Sequence, residues 1–240
     1  MVSVQDDKRN ALNQLDKTDL RLLLSSFYLH GQGLEIGALH QPLQLPSHAS
    51  VQYVDRLPVS ELRIHYSDLS QLELVEVDII DDGERLVTIK DDSQDFIVAN
   101  HMLEHCMNPI QTLQTFSEKL KPGGIIYISI PDKRFCFDRN RELTPFDHLI
   151  DDYHGRNEHY QHYIEWTKYV NGVTDEQEIE RQSQHLLQMQ YSIHFHVWDF
   201  FTFVDFIQRM NAFLNFRFDV LNITFDDYRH EIITILRKKI

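Results

Sequence analysis

The sequence predicts an α/β fold: a doubly wound, mostly parallel sheet with an antiparallel C-terminal edge hairpin and a helical insertion after the fifth strand. Three observations carry this. Runs that are apolar almost throughout, such as DFIVAN (95–100) and IIYISIP (125–131), alternate with segments of helical period. Strands apolar on both faces belong to a parallel sheet covered by helices on either side. The last two segments, FRFDVLNITFD (216–226) and HEIITILRK (230–238), are spaced as a hairpin, whereas 132–196 is polar, rich in His, Tyr and Asp, and without strand rhythm. The 240 residues are read as one domain over 1–240, with 132–196 an insertion or cap within it.

Lys8–Leu29 is predicted as a helix because Leu12, Leu15, Leu20, Leu23, Leu24 and Phe27 recur near period 3.6, before Gly31 and Gly33 break it. LEIGA (34–38) is the first strand and VQYVD (51–55) the second, followed by a short helix over Val59–Tyr66. LVEVDII (74–80) is the third strand and DFIVAN the fourth. A helix then starts at Pro109, shows one face through Ile110, Leu113, Phe116 and Leu120, and stops at Pro122-Gly123-Gly124. IIYISIP is the fifth strand. After the insertion, Val197–Leu214 is an aromatic-rich helix whose stripe of Trp198, Phe201, Val204 and Phe206 reads as core.

Composition excludes several classes. The chain is 42% hydrophobic and 25% charged, so it is neither disordered nor fibrous. A net charge of −14 without a local basic patch argues against nucleic-acid binding. No run is apolar for long enough to span a membrane, and the N-terminus MVSVQDDKRN lacks a signal-peptide core. Two cysteines, Cys106 and Cys136, exclude a disulfide framework and suit a reducing, cytoplasmic setting. An oligomer is compatible with all of this.

GLEIGALHQP, then VQYVD, then DFIVANHMLEHCMNPIQTLQTFSEKLKPGGIIYISIPD resemble the class I S-adenosylmethionine-dependent methyltransferases, of the small type found among bacterial sugar and cell-surface pathways. The resemblance covers Gly33–Pro131 and, more loosely, His196–Lys238. It implies a Rossmann-like sheet, S-adenosylmethionine as cofactor, and methyl transfer to a small-molecule or sugar-type acceptor. The alternative is a catalytically inactive module of the same fold, serving as a binding or scaffold domain of a surface-glycan pathway. Leu39 and Gln41 favour it, since they replace two glycines of the family's loop.

In such a sheet the ligand lies beyond the carboxyl ends of the strands, where the strand order reverses. The resemblance therefore places Glu35, Gly37 and Ala38 at the cofactor, with glycine allowing close backbone approach. Asp55 ends the second strand at the offset where an acid holds ribose hydroxyls. Asp82 and Gly83, with Asp81 as competitor, are expected at the adenine, and Asn100 and His101 at the end of the fourth strand face the methyl group. His101 and His194 are the candidate general bases. Glu104 and His105 are read as architectural. The alternate spacing of His194 and His196 puts both on one side of an extended segment; with His101 or Asp132 they could form a metal site, but two histidines without a nearby acidic third ligand are weak evidence, so no metal is predicted. Lys133, Arg134, Arg139 and Arg141 form the densest basic cluster. Arg forks suit carboxylates and phosphates, which points to an anionic or sugar-containing acceptor unless the chain's own acids take them up.

Overall fold

The computed structural model describes residues 19–66, 69 and 71–240. Helix α1 (Leu20–Tyr28) begins where Asp19, in an extended conformation, accepts the Arg21 and Leu22 amides on its carboxylate. The helix predicted from Lys8 thus has a start at Leu20; Lys8–Thr18 lie outside the described residues. There follow β1 (Gly31–Ile36), β2 (Ala49–Asp55), α2 (Val59–His65), β3 (Ile79–Ile80), β4 (Gln94–Asn100), α3 (Pro109–Lys119) and β5 (Leu120–Pro131). The insertion carries two 3₁₀ turns and helices α4 (Phe146–Tyr153), α5 (Tyr160–Tyr169) and α6 (Glu176–Gln188). Helix α7 (Phe200–Phe213) and strands β6 (Phe218–Asp226) and β7 (Glu231–Lys238) come after it.

The strands form one sheet in the order β3-β2-β1-β4-β5-β7-β6. β1 to β5 pair in parallel, while β7 lies antiparallel between β5 and β6. This is the doubly wound, mostly parallel sheet with an antiparallel C-terminal pair that the apolar runs predicted. Alternate residues of each strand face opposite layers. Ile97, Ala99, Ile126 and Ile128 pack under Leu113 and Phe116 of α3 and Phe203, Phe206 and Met210 of α7. Phe96, Val98, Tyr127, Ile233 and Ile235 face the other way, against Leu24 of α1 and Leu43. Tyr163, Ile193 and Phe195 make a small core of the insertion's own.

Three elements depart from the sequence reading. Of 74–80 only Ile79 and Ile80 are strand, because Val75 N–H donates to Leu39 O (2.8 Å) and not to β2. Strand β5 starts at Leu120, so Lys121–Gly124, with Gly123 at φ +82°, form an irregularity within the strand instead of a loop before it. Helix α7 begins at Phe200, set by a capping box between Asp199 and Thr202. Its core face is Phe203, Phe206, Ile207 and Met210, and Phe201 is 72% exposed. Of the predicted stripe, Trp198 and Phe206 are core, Val204 is half-buried and Phe201 faces outward.

Candidate active site

Strand order reverses between β1 and β4, so their carboxyl ends open a crevice on one edge of the sheet. Gly37 follows β1 at φ +66°, with nothing within 4 Å of where a Cβ would stand. Its amide donates to Val54 O at 2.9 Å. Leu39, at φ +50°, keeps the left-handed backbone that a glycine would adopt freely. Ala38 O accepts the Gln41 amide (3.0 Å), which tightens the loop. Glu35 is buried beneath it, and both carboxylate oxygens accept from Leu43 N–H at 2.9 and 3.1 Å. Burial raises its pKa to about 7 in spite of that amide.

Asp55 ends β2, half-buried, and accepts the Arg56 amide at 2.7 Å. Burial raises its pKa. The Arg56 guanidinium turns away to His65 Nε2 (2.6 Å), so its side chain does not cap Asp55. Beyond β3, Asp81 is consumed internally: it accepts from Thr88 N–H (2.8 Å), Thr88 Oγ1 (2.6 Å) and Asp82 N–H (2.7 Å). Asp82 is exposed. Gly83 sits where a Cβ would be 2.6 Å from Ile36 Cγ2, so only glycine brings this loop against the end of β1. Asn100 Oδ1 accepts from Ser129 Oγ at 2.9 Å, and its buried Nδ2 leans toward Glu35 without forming a well-shaped bond.

A string of alternating basic and acidic side chains crosses the same edge. Arg21 of α1 grips Glu231 through Nε (2.6 Å) and Nη2 (2.5 Å). Glu231 Oε2 faces His101 Nε2 at 2.8 Å, and His101 Nδ1 lies 3.5 Å from Glu104 Oε1. Glu104 Oε1 is 4.0 Å from His194 Nε2, and His194 Nδ1 bonds Asp138 Oδ2 at 2.6 Å. Arg141 completes it, donating to Asp138 Oδ1 at 2.8 Å. Burial opposes a charge on His101, but Glu231 and Glu104 outweigh it and raise its pKa. Burial would likewise raise Glu231, yet Arg21 and His101 hold it down to about 2. Burial raises Glu104, whose two oxygens have no hydrogen-bond donor. Burial works against ionisation of Asp138 too, but the bonds from His194 and Arg141 keep it below the usual carboxylate range. His105, pushed down to about 3 by burial, is neutral and donates through Nδ1 to Ile193 O (2.9 Å). His101 itself sits at φ +48°, a conformation that costs a non-glycine residue about 1–2 kcal/mol.

The structure thus links His101 and His194 through Glu104. It separates His194 from His196: the first goes to Asp138 and Glu104, the second to Asp152 (3.7 Å). Neither reaches Asp132, which accepts the Arg134 guanidinium and the Phe200 amide. Of the basic cluster, Arg134 and Arg141 pair with Asp132 and Asp138, and Lys133 Nζ donates to Arg141 O. Arg139 is exposed and makes no ion pair among the described residues. Sequence reasoning missed Arg21, Glu231 and Asp138. Asp138 stood inside a motif read for its cations, and the lone acid opening an otherwise apolar strand was the one signal for Glu231.

The model of the methyltransferase domain family matches residues 31–174, and the chain belongs to that family. It carries a methyltransferase domain, and the family implies S-adenosylmethionine as cofactor. The residues at the crevice fit that group: an open backbone at Gly37, a carboxylate at the end of β2 and an exposed one at Asp82. No curated protein matches the sequence closely enough to count as a relative. Among solved structures, the chain resembles one from the Haloferax volcanii complex of the Trm112 methyltransferase activator with a methyltransferase (13% identity, TM-score 0.50, 99% of this chain and 95% of that one). It also resembles a methyltransferase from Bacillus halodurans (12%, 0.49, 91% and 96%). It covers 49% of the CurJ carbon methyltransferase, with 13% identity over 88% of this chain and a TM-score of 0.45. At such identities the likeness is one of fold. Among the described residues no helix is long and apolar enough to cross a membrane.

Proposed function

We propose that the chain methylates a hydroxyl of a small-molecule or sugar-type acceptor, with His194 as the general base. The observation that carries this is the pairing of His194 with Asp138 at 2.6 Å, on the insertion that follows β5, directed through Glu104 toward His101 at the end of β4. The bound cofactor supplies an electrophilic methyl group for in-line displacement by the acceptor oxygen. Asp55 would accept from the ribose hydroxyls and Asp82 from the adenine amine, and Gly37 with Ala38 would let the backbone lie close. His194 Nε2 takes the acceptor's proton, and Asp138 fixes the ring and stabilises the imidazolium that forms. His101 has Nε2 bonded to Glu231, Nδ1 at 3.5 Å from Glu104, and a raised pKa. It serves as a cation that holds Glu104 in place, a better fit than base. The insertion covers the crevice and excludes water, which favours transfer. Arg139 is the cation of the basic cluster left over for an anionic group on the acceptor.

Calorimetric titration with S-adenosylmethionine and S-adenosylhomocysteine, followed by a methyl-transfer screen over hydroxyl acceptors, tests this. His194→Gln should leave cofactor affinity unchanged and lower kcat by about 100-fold or more. A flat titration at millimolar ligand would establish the inactive scaffold module in its place. Unchanged kcat in His194→Gln would remove the base role alone.

A further inference from the structure

The fourteen histidines are more than the site above uses, and a second cluster lies within the insertion, apart from the string of charges. His148 and Asp152 stand one turn apart on α4, His162 is on α5, and His196 is in the extended segment leading to α7. His148 Nε2 is 3.2 Å from His162 Nε2 and 3.4 Å from Asp152 Oδ2, and His196 Nε2 is 3.7 Å from the same Asp152 oxygen. One ligand atom each from His148, Asp152 and His196 all lie within 4.8 Å of one another. His159 borders the group beside Asp152 and His162.

Two features set this apart from a packed histidine cluster. Asp152 is 5% and His196 1% exposed, yet Asp152 Oδ2 and both ring nitrogens of His196 have no hydrogen-bond partner. Leaving a buried carboxylate oxygen and imidazole nitrogens without a well-formed hydrogen bond is costly, and native interiors rarely do so. The spacing is also that of a coordination sphere. Metal–nitrogen bonds of about 2.0–2.1 Å at tetrahedral angles place neighbouring ligand atoms about 3.3 Å apart. The separations of His148 and His196 from Asp152, 3.4 and 3.7 Å, fall around that value, and imidazole-rich sets with one carboxylate suit divalent ions of the zinc class.

We propose that a zinc-type divalent cation binds His148 Nε2, Asp152 Oδ2 and His196 Nε2, with its fourth position left to solvent. Behind these ligands, Asn157 Nδ2 donates to Asp152 Oδ1 (2.8 Å) and to the His148 carbonyl (3.0 Å). Outer partners of this kind orient ligands in metal sites. The ion would tie α4 to the segment that carries His194 two residues before His196. Its role is to hold the insertion on the sheet edge, and it requires no part of the reading given for His194 itself.

The test uses the untagged full chain. Protein grown with added Zn2+ and dialysed should retain one bound ion by elemental analysis. After chelation it should take up Co2+ with the visible bands of four-coordinate cobalt, and added Zn2+ should raise the melting temperature. Asp152→Asn and His196→Gln should abolish retention. Asn157→Ala, folded by circular dichroism, should weaken Zn2+ binding about 10–100-fold. His185→Ala, on the exposed face of α6, should retain the ion. Metal-free protein that neither takes up Co2+ nor melts higher with Zn2+ overturns the proposal, as does full retention in Asp152→Asn.

Discussion

Replacing Glu231 by Gln isolates what the charge string contributes to stability. The Glu231 side chain is 0% and that of Arg21 12% exposed, so solvent screens the pair little. Arg21 and His101 hold the Glu231 pKa at about 2, from an ordinary 4.5. That difference corresponds to about 3 kcal/mol of preference for the ionised native form. Breaking a buried pair on one side costs about 3–5 kcal/mol, because the remaining ion is uncompensated. Gln keeps one acceptor for Arg21, so the loss should lie near 3 kcal/mol, and the melting temperature at pH 7 should fall by roughly 6–12 °C. The sign with pH follows from a depressed native pKa: the contribution is complete above about pH 4.5 and disappears as pH falls toward 2, so the wild-type and variant melting curves should converge there. The assay is thermal melting by circular dichroism across pH, with the His101 ring titrated by NMR. Loss of Glu231 should also lower the His101 pKa. A melting shift under 2 °C at pH 7 together with an unmoved His101 would refute the argument.

Glu35→Gln reports the opposite sign. A pKa raised to about 7 makes ionised Glu35 a liability above that pH, so the variant should be more stable at pH 8 by roughly 3 kcal/mol and indistinguishable at pH 4.5, as pH-dependent denaturant titration would reveal. Asp55→Ala should weaken cofactor binding by about 1.5–3 kcal/mol in calorimetry while stability changes by under about 1 kcal/mol, since the carboxylate caps only the turn at Arg56. Gly83→Ala forces a Cβ to within 2.6 Å of Ile36, and overpacking there should cost about 1–3 kcal/mol in chemical denaturation, where Asp82→Ala costs little.

Local patterning made much of the fold legible. The apolar runs at β4, β5 and the end of β1 report burial on both faces, which a parallel sheet demands, and the spacing of β6 and β7 reports a hairpin. The acids and glycines ending those runs could be placed at one edge because parallel strands share a carboxyl end. What local patterning could not reach is which side chain stands opposite which. Asp19 and Asp199 decide where α1 and α7 begin, and with that which residues of each helix face the core: Phe203 inside, Phe201 outside. His194 and His196, two residues apart, go to different carboxylates because Asp138 and Asp152 approach from different parts of the insertion. Arg21 and Glu231 meet across 210 residues. A side chain's hydrogen bonds and charge state are set by neighbours across the interior, so the string through His101, Glu104 and His194 exists only once α1, the insertion and β7 have been folded onto one edge.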